Sequence, residues 1–285
     1  MPSIIIIGGG PAGLSTAIYA ARANIPTTIL YQDGGALGKT DKIENYFGFP
    51  ETLSGAELLA RGREQAERLG AKLVRTEVTG IEYAEKGFSV KTTDGAFPAD
   101  AVILATGAPR AVPRITGVAD FEGRGVSYCA VCDAFFYRGK SVAVLGQGEY
   151  ALEEARVLLP VAASVTLLTN GSEPPAPLPD GLSVDSRPIA AVEGEDTVAR
   201  VSFTEGEPLA VDGVFIAYGT AGSGDFARKL GAQLDGNKIK TDASMATAVP
   251  GLFAAGDCTG GLLQVAKAVS DGAQAALSAV KYVRG

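Results

Sequence analysis

The chain has 285 residues, a formal net charge of −7 and three cysteines. This length allows one large domain or two ordinary ones, and a hydrophobic fraction of 46% is enough for real cores. The acidic balance argues against a nucleic-acid-binding protein, and three cysteines are too few for a secreted disulfide scaffold. The first residues lack the basic start of a signal peptide, and no apolar run reaches the ~18 residues of a membrane helix. We therefore expect a soluble protein of the reducing cytoplasm.

The first predicted elements are a buried strand at 3–7 and a helix at 11–22, joined by a glycine-rich turn. The turn has the spacing GxGxxG, with Gly8, Gly10 and Gly13 as its glycines. In a strand–turn–helix unit the first glycine makes the tight turn, the second admits a pyrophosphate and the third lets helix and strand pack closely. The pattern predicts a dinucleotide site at the start of the helix.

The second strand is predicted at 27–31. An acidic residue is expected at the end of this strand, where it would bind a ribose. Tyr31 occupies that place, so Asp33 is the candidate instead. The loop that follows contains Gly38 and is rich enough in glycine to pass close to a ligand.

Farther along, Phe47 and Phe49 are expected to be core residues. An amphipathic helix and four strands are then predicted at 53–69, 72–76, 78–84, 88–92 and 101–104. Pro109 and Pro113 mark a linker, and a second unit is predicted to begin near Val112.

The second unit repeats the strand–turn–helix pattern. A strand at 141–145 leads into Gly146-Gln-Gly148-Glu-Tyr-Ala151, where alanine replaces the third glycine, and a helix extends to about 159. Further strands are predicted at 164–168, 198–204 and 213–217. Two dinucleotide-type units in one chain predict a two-nucleotide oxidoreductase.

A third segment begins near residue 240. Its strand ends in Gly256-Asp257, and a long alanine-rich helix is predicted at 262–282. Because Asp257 directly follows a buried strand and a glycine, a contact with a cofactor hydroxyl is favoured over a plain helix-start role. The N-terminus of the helix could stabilise negative charge on that cofactor.

Between the two glycine turns lies Cys129-Ala-Val-Cys132, followed at once by Asp133. Two cysteines at this spacing suit a reversible disulfide that exchanges with another disulfide through a mixed intermediate. Such exchange needs a nearby proton source, and Asp133 can supply one. A closed zinc site wants four N/S ligands, whereas the chain has no histidine and only one other cysteine, Cys258. We expect no metal site, and we expect Cys258 to be a structural thiol.

Taken in order, these motifs resemble the low-molecular-weight thioredoxin reductases over essentially the whole chain. The segments that carry the resemblance are GGGPAG at 8–13, ENYFGFP at 44–50, ATG at 105–107, CAVCDAFFYRGK at 129–140, GQGEYALEEA at 146–155 and PGLFAAGD at 250–257. The resemblance implies an α/β fold of two dinucleotide-binding, Rossmann-like, three-layer ββα domains, the second inserted into the first. The FAD-binding domain would comprise 1–111 and 241–285, and the inserted NADPH-domain-like unit with the CxxC motif would comprise 112–240.

The resemblance also implies residue roles. Cys132 would lie against the flavin, Cys129 would attack the substrate disulfide and Asp133 would be the general acid. The residues implied to bind one FAD per chain are Gly8, Gly10, Pro11, Ala12, Gly13, Asp33, Gly38, Asn45, Val78, Ala105, Thr106, Gly107, Gly256, Asp257, Gln264 and Val265. The family works as homodimers and reduces the disulfide of thioredoxin.

The chain departs from the family where a pyridine nucleotide would bind. NADPH-using members have a His and Arg cluster after the second strand of the second unit, but residues 169–177 contain no Arg or Lys. Glu149 places a carboxylate within the glycine turn, and 141–212 contains three basic and twelve acidic residues, which would repel a polyanionic cofactor. NADPH is therefore not expected to bind, and the chain resembles the branch of the family that takes electrons from ferredoxin.

An acidic ferredoxin is expected to dock on the more basic remainder of the molecule, near Lys39, Lys42, Arg61, Arg63 and Lys267. Three alternatives stay open. Two are enzymes, an NAD(P)H-dependent disulfide reductase and an FAD-dependent dithiol oxidase. The third is a binding protein with a retired second site, against which the acid beside the thiols argues.

Overall fold

The computed structural model describes residues 2–107, 114–218 and 222–285. The chain divides into two compact units, Met1–Pro109 with Gly222–Gly285 and Arg110–Ala221. The second unit is thus inserted into the first along the chain. The predicted linker prolines Pro109 and Pro113, and the predicted start of the second unit at Val112, lie outside the described residues.

The first unit begins with alternating strands and helices. Its elements before residue 108 are β1 (Ile4–Ile7), α1 (Pro11–Arg22), β2 (Thr27–Tyr31), α2 (Gly55–Arg68), β3 (Lys72–Arg75), β4 (Val78–Tyr83), β5 (Phe88–Thr92), β6 (Gly95–Ala99) and β7 (Ala101–Leu104). Strand β6 was not predicted, because it contains Gly95 and Pro98, two residue types that are depleted in strands. As the edge of the sheet β4-β5-β6 it can accommodate a proline.

The inserted unit contains the elements β8 (Val126–Ser127), α3 (Ala130–Asp133), β9 (Ser141–Leu145), α4 (Glu149–Leu158), β10 (Ser164–Leu168), β11 (Leu182–Asp185), β12 (Ile189–Gly194), β13 (Val198–Phe203), β14 (Leu209–Ala210) and β15 (Gly213–Ile216). Strands β9, β10, β13 and β15 match the predictions within a residue or so.

The C-terminal part of the first unit contains α5 (Ser223–Lys229), β16 (Leu234–Asp235), β17 (Lys238–Ile239), β18 (Leu252–Ala254) and α6 (Val265–Arg284). The predicted boundary at 240 differs from the observed one at Ala221. Residues after Ala221 bind to the first unit, because Ser223 Oγ lies 2.7 Å from Thr106 Oγ1 and the Tyr83 hydroxyl donates to the Leu230 carbonyl at 2.6 Å.

Each unit is built around a five-stranded parallel sheet. In the first unit the order is β18-β7-β1-β2-β3, and β1 is a central strand whose four isoleucines are all buried. Helices α1 and α6 pack closely against each other, since a side chain at Gly272 of α6 would collide with the backbone of Ala12 in α1.

In the inserted unit the order is β11-β10-β9-β15-β8, and β12-β13-β14 forms an antiparallel sheet. The expected α/β class with two Rossmann-like units is confirmed. Within the described ranges, no helix combines the length and apolar character needed to cross a membrane.

Candidate active site and cofactor site

The predicted cofactor residues of the first unit meet at one edge of its parallel sheet. Strands β18, β7 and β1 are neighbours, and the register places Ile7 and Ala254 on either side of Leu104. Their carboxyl ends therefore bring together the turn after Gly8, the loop Ala105–Thr106–Gly107 and the turn at Gly256. Ligands of open parallel sheets bind outside such carboxyl ends.

The three glycines of the first turn have the geometry of a dinucleotide site. A Cβ on Gly8 (φ +120°) would collide with the carbonyl of Ala105, and one on Gly13 would collide with the carbonyl of Gly8. Gly10, in contrast, faces open space. Helix α1 starts without a side-chain cap and without an acidic residue in its first turn, which contains Pro11 and Ala12. Its N-terminal amides thus stay available to an anion, so the residues fit a pyrophosphate.

The turn at Gly256 and Asp257 is held by an ion pair on α6. Gly256 has φ +84° and ψ −153°, a conformation essentially restricted to glycine. Its N–H donates to the carboxylate of Asp271 at 3.1 Å, and its carbonyl accepts from Lys267 Nζ at 2.8 Å. Lys267 and Asp271 are themselves paired at 2.7 Å. The pair fixes the backbone that carries Asp257, the residue predicted to contact a cofactor hydroxyl.

This arrangement corrects the docking role predicted for Lys267. Its side chain is only 20% exposed, and Nζ also donates to the Gly260 carbonyl at 2.6 Å. Arg63 is also only partly exposed, and its guanidinium lies over the Tyr31 ring. Lys39, Lys42 and Arg61 are exposed, as a docking surface requires.

The remaining predicted cofactor residues surround the same sheet edge or lie in loops near α6. Asn45 Nδ2 donates to Gln264 Oε1 at 2.9 Å and so joins the loop after β2 to the start of α6, where Val265 is the first helical residue. Asp33 is exposed and accepts the N–H of Gly35 at 2.8 Å. Gly38 lies in a short 3-10 turn, and Val78 is the buried first residue of β4.

The prediction that Phe47 is a core residue is wrong, because Phe47 is 99% exposed. Phe49 is half-buried and stacks on Tyr46. The sequence pattern gave no means to separate the two, since both lie in one aromatic loop.

The two cysteines of the CxxC motif form a disulfide, with Cys129 as the N-cap of α3. Cys132 N–H donates to Cys129 Sγ at 3.2 Å. Cys132 is exposed, whereas Cys129 is 2% exposed. In the oxidised form, then, Cys132 is the exposed residue of the pair and Cys129 is the buried one.

Asp133 is positioned by a residue that the sequence analysis missed. Ser127 Oγ donates to Asp133 Oδ2 at 2.7 Å and accepts the N–H of Cys129 at 3.1 Å. One hydroxyl therefore links the carboxylate to the disulfide turn. A serine two residues before the first cysteine is a weak signal in sequence, because serine is common in turns.

Cys258 is buried in the first unit. Its Sγ lies 3.4 Å from the Leu104 carbonyl and 3.3 Å from the Ala255 carbonyl. Burial raises the pKa of its thiol from 9.0 to about 11. A thiol of this kind is a poor nucleophile, which agrees with a structural role.

The glycine turn of the inserted unit differs from the first turn at its opening. Glu149 is the first residue of α4, and its carboxylate pairs with Arg156 at 2.8 Å. Glu153 also pairs with Arg156. Helix α4, like α1, starts without a side-chain cap, but its first residue carries a carboxylate, which pairs with Arg156 two turns further along the helix.

The three arginines of 141–212 are all engaged with carboxylates: Arg156 with Glu149 and Glu153, Arg187 with Asp185, and Arg200 with Glu193. At the end of β10, where NADPH-using family members bind a 2′-phosphate, the polar side chains form hydrogen bonds with nearby backbone. Thr169 Oγ1 donates to the Ser172 carbonyl, and Asn170 Oδ1 accepts the N–H of Ile189 at 2.7 Å.

Comparison with known proteins agrees with this geometry. A family model described as pyridine nucleotide-disulphide oxidoreductase matches residues 2–272. The chain belongs to this family. Membership implies a flavin cofactor, which fits the glycine geometry of the first unit.

Among family relatives, a thioredoxin reductase of Aquifex aeolicus is 40% identical over 99% of this chain and 93% of its own length. A Pseudomonas fluorescens protein named glucosaminate ammonia-lyase is 34% identical over 99% of this chain and 96% of its own length. Names within the family thus cover more than one activity, so the activity has to be argued from the site.

Two solved family structures are informative. The atypical thioredoxin reductase TRi of Desulfovibrio vulgaris Hildenborough is 43% identical with a TM-score of 0.93, over 100% of this chain and 98% of that one. A ferredoxin-flavin thioredoxin reductase of Clostridium acetobutylicum is 32% identical with a TM-score of 0.70, over 99% and 98%. The chain is therefore a homologue of the thioredoxin reductases, the disulfide reductases of this family.

Proposed function

We propose that the protein is an FAD-dependent reductase that passes electrons through Cys132 and Cys129 to the disulfide of thioredoxin. The observation that carries the proposal is the Cys129–Cys132 disulfide, with Cys132 exposed and Asp133 held in place by Ser127. A retired redox site would have no use for a positioned carboxylate beside two thiols.

FAD would bind at the sheet edge of the first unit. Gly8, Gly10 and Gly13 would admit its pyrophosphate to the start of α1. Asp257 would bind a hydroxyl of the part of FAD that links the pyrophosphate to the flavin ring. When bound, the flavin supplies a carrier that takes electrons singly or in pairs and releases them to a disulfide.

The disulfide is reduced to two thiols on uptake of two electrons and two protons. Because Cys132 is the exposed partner in the oxidised form, it is the sulfur that can receive electrons. Cys129 is then released as a thiol, and it would attack the thioredoxin disulfide to form a mixed disulfide. Asp133 would move the protons that these exchanges require.

Thioredoxin would dock on apolar side chains beside the disulfide. Val131, Phe135 and Phe136 are 57%, 73% and 67% exposed and lie within four residues of Cys132. Exposed aromatic residues at one place on a surface are typical of protein recognition. Their position next to the exchanging sulfurs supports a protein disulfide as the substrate.

Ferredoxin would be the electron donor. Two reduced ferredoxins, each giving one electron, supply the pair that one disulfide consumes. The support is the paired state of all three arginines of 141–212, the carboxylate of Glu149 at the second turn, and the similarity to a ferredoxin-flavin thioredoxin reductase. Because no arginine of 141–212 is free of a carboxylate, none of them is available for bidentate hydrogen bonds to the 2′-phosphate of NADPH.

An acidic ferredoxin would dock near Lys39, Lys42 and Arg61, which are exposed. A homodimer and a cytoplasmic location complete the proposal; they rest on the family resemblance and on the reducing compartment that reversible thiols require.

An experiment that needs no donor tests the substrate half of the proposal. The flavin is reduced with dithionite under anaerobic conditions and then mixed with oxidised thioredoxin. We expect reoxidation of one flavin per thioredoxin reduced, and no transfer in the Cys132→Ser enzyme. A flavin that stays reduced in the presence of thioredoxin and is reoxidised only when air is admitted would favour a dithiol oxidase, and transfer by Cys132→Ser would contradict the assigned thiols.

A further inference from the structure

A buried carboxylate of the segment 146–155, to which no role has been assigned so far, lies against the redox helix. Glu154 is in the middle of α4 and is 1% exposed. Its Oε2 accepts the backbone N–H of Ala130 at 2.7 Å. Ala130 is the first residue of α3 and directly follows Cys129. Glu154 is thus held at the end of α3 where the disulfide begins.

The disulfide uses amides of the same helix. Cys132 N–H donates to Cys129 Sγ at 3.2 Å, so a sulfur and a carboxylate both accept from the first turn of α3. Amides at a helix start stabilise a cysteine thiolate. Glu154 accepts a neighbouring amide of the same turn, and a negative charge there has the opposite effect, because like charges disfavour each other.

We propose that Glu154 is a positioning residue that keeps the Cys129–Cys132 pair strongly reducing. Reduction breaks the S–S bond and consumes two electrons and two protons, and part of the reduced pair is thiolate near pH 8.5, the ordinary pKa of a cysteine. The carboxylate disfavours that thiolate and shifts the equilibrium towards the disulfide. The pair then gives up electrons more readily, as a reductant of thioredoxin must.

This inference rests on the proposed function, because only an electron-passing pair gains from a low potential. Ser127 and Glu154 then have separate tasks. Ser127 holds Asp133, whose part is proton transfer, whereas Glu154 acts on the equilibrium between disulfide and dithiol.

The redox equilibrium of a Glu154→Gln holoenzyme tests the proposal. Glutamine keeps an oxygen that can accept the Ala130 N–H and removes the charge. Wild type and variant are equilibrated anaerobically in dithiothreitol buffers at pH 8.5, the free thiols are alkylated, and the oxidised fraction is read by mass spectrometry. We expect an unchanged Tm and an equilibrium constant shifted about tenfold towards the dithiol, or about 30 mV.

Two further variants separate charge from structure. Glu153→Gln removes the neighbouring charge, which is paired with Arg156, and should leave the redox equilibrium unchanged. Glu154→Ala also removes the acceptor, so it should shift the equilibrium in the same direction and lower the Tm. A wild-type equilibrium constant in Glu154→Gln overturns the inference and leaves the proposed function standing. Failure of the wild-type pair to equilibrate with dithiothreitol overturns both.

Discussion

The two glycine turns of this chain share one local structure and differ in the charge of the residue that begins the following helix. In each, a buried parallel strand ends in a turn that opens a helix, and glycine is required at the first position: a Cβ on Gly8 or Gly146 would collide with backbone. Neither helix start has a side-chain cap, and the first turn continues with Pro11. The second continues with Glu149, whose carboxylate pairs with Arg156.

The difference teaches that the backbone of a glycine turn and the charge at the helix it opens are set independently. Backbone geometry of a turn follows from glycine and from packing, and both turns satisfy those demands. The charge at the helix start is a separate property: the first turn of α1 contains no acidic residue, whereas α4 begins with Glu149. The inserted unit also contains the Cys129–Cys132 disulfide and the carboxyl groups of Asp133 and Glu154.

The largest expected effect concerns the carboxyl group of Asp133. Asp133→Asn should slow thiol–disulfide exchange with thioredoxin by about 10²–10⁴-fold, since a general acid–base group typically contributes that much. Stopped-flow measurement of thioredoxin reduction checks it, with dithionite as reductant so that the donor has no part. If the variant exchanges at the wild-type rate and only melts earlier, Asp133 has a structural role alone.

The comparison can be broken by giving the first turn the charge of the second. Pro11 and Glu149 occupy equivalent positions in the two turns. Pro11→Glu should weaken FAD binding about 100-fold, because the new carboxylate repels the pyrophosphate. Charge-assisted hydrogen bonds, at ~1.5–3 kcal/mol each, would also be lost. Fluorescence titration of the apoprotein with FAD measures this. Pro11→Gln, which adds the same bulk without the charge, should weaken binding far less; equal losses in both variants would mean that charge is not what separates the two turns.

Alanine substitutions separate packing from ligand access within the first turn. Gly13→Ala places a methyl group on the Gly8 carbonyl and should destabilise the apoprotein by about 3 kcal/mol. Gly10→Ala meets open space, so it should leave apoprotein stability unchanged and weaken FAD binding. Urea unfolding and FAD titration of both variants check this, and the reverse pattern would contradict the assigned glycine roles.

The smallest effect concerns the thiol outside the redox pair. Because the pKa of Cys258 is about 11 in the folded protein and 9.0 otherwise, the unfolded chain loses this proton first as the pH rises. Stability should therefore fall between pH 9 and 11, by at most about 2.7 kcal/mol. Urea unfolding of Cys258→Ala should show a shallower decline over the same window, with thioredoxin reduction retained; an identical decline would show that another group is responsible.

Much of the fold could be predicted because its signals are local. Buried isoleucine runs, glycine spacing and helix periodicity identified the strands and helices that carry both turns. The boundary at Ala221 could not be found in this way, since it depends on bonds such as that between Ser223 and Thr106, which are distant in sequence.

The candidate site shows the same limit. The cysteines and Asp133 are adjacent in sequence and were found from their spacing. Ser127 and Glu154 contact the redox motif only in the folded unit. The role of Lys267 in holding the turn at Gly256 likewise depends on the folded backbone. Such roles follow from tertiary contacts, which the order of residues does not display.

We propose ferredoxin as the electron donor, with no pyridine nucleotide bound at the second turn. Stopped-flow measurement of flavin absorbance with reduced ferredoxin, NADPH and NADH side by side tests this proposal most directly. We expect ferredoxin to bleach the flavin within the turnover time, at a rate that falls as salt rises because steering between opposite charges is screened, and we expect no bleaching by either nucleotide at millimolar concentration. Rapid bleaching by NADPH or NADH would contradict the proposal.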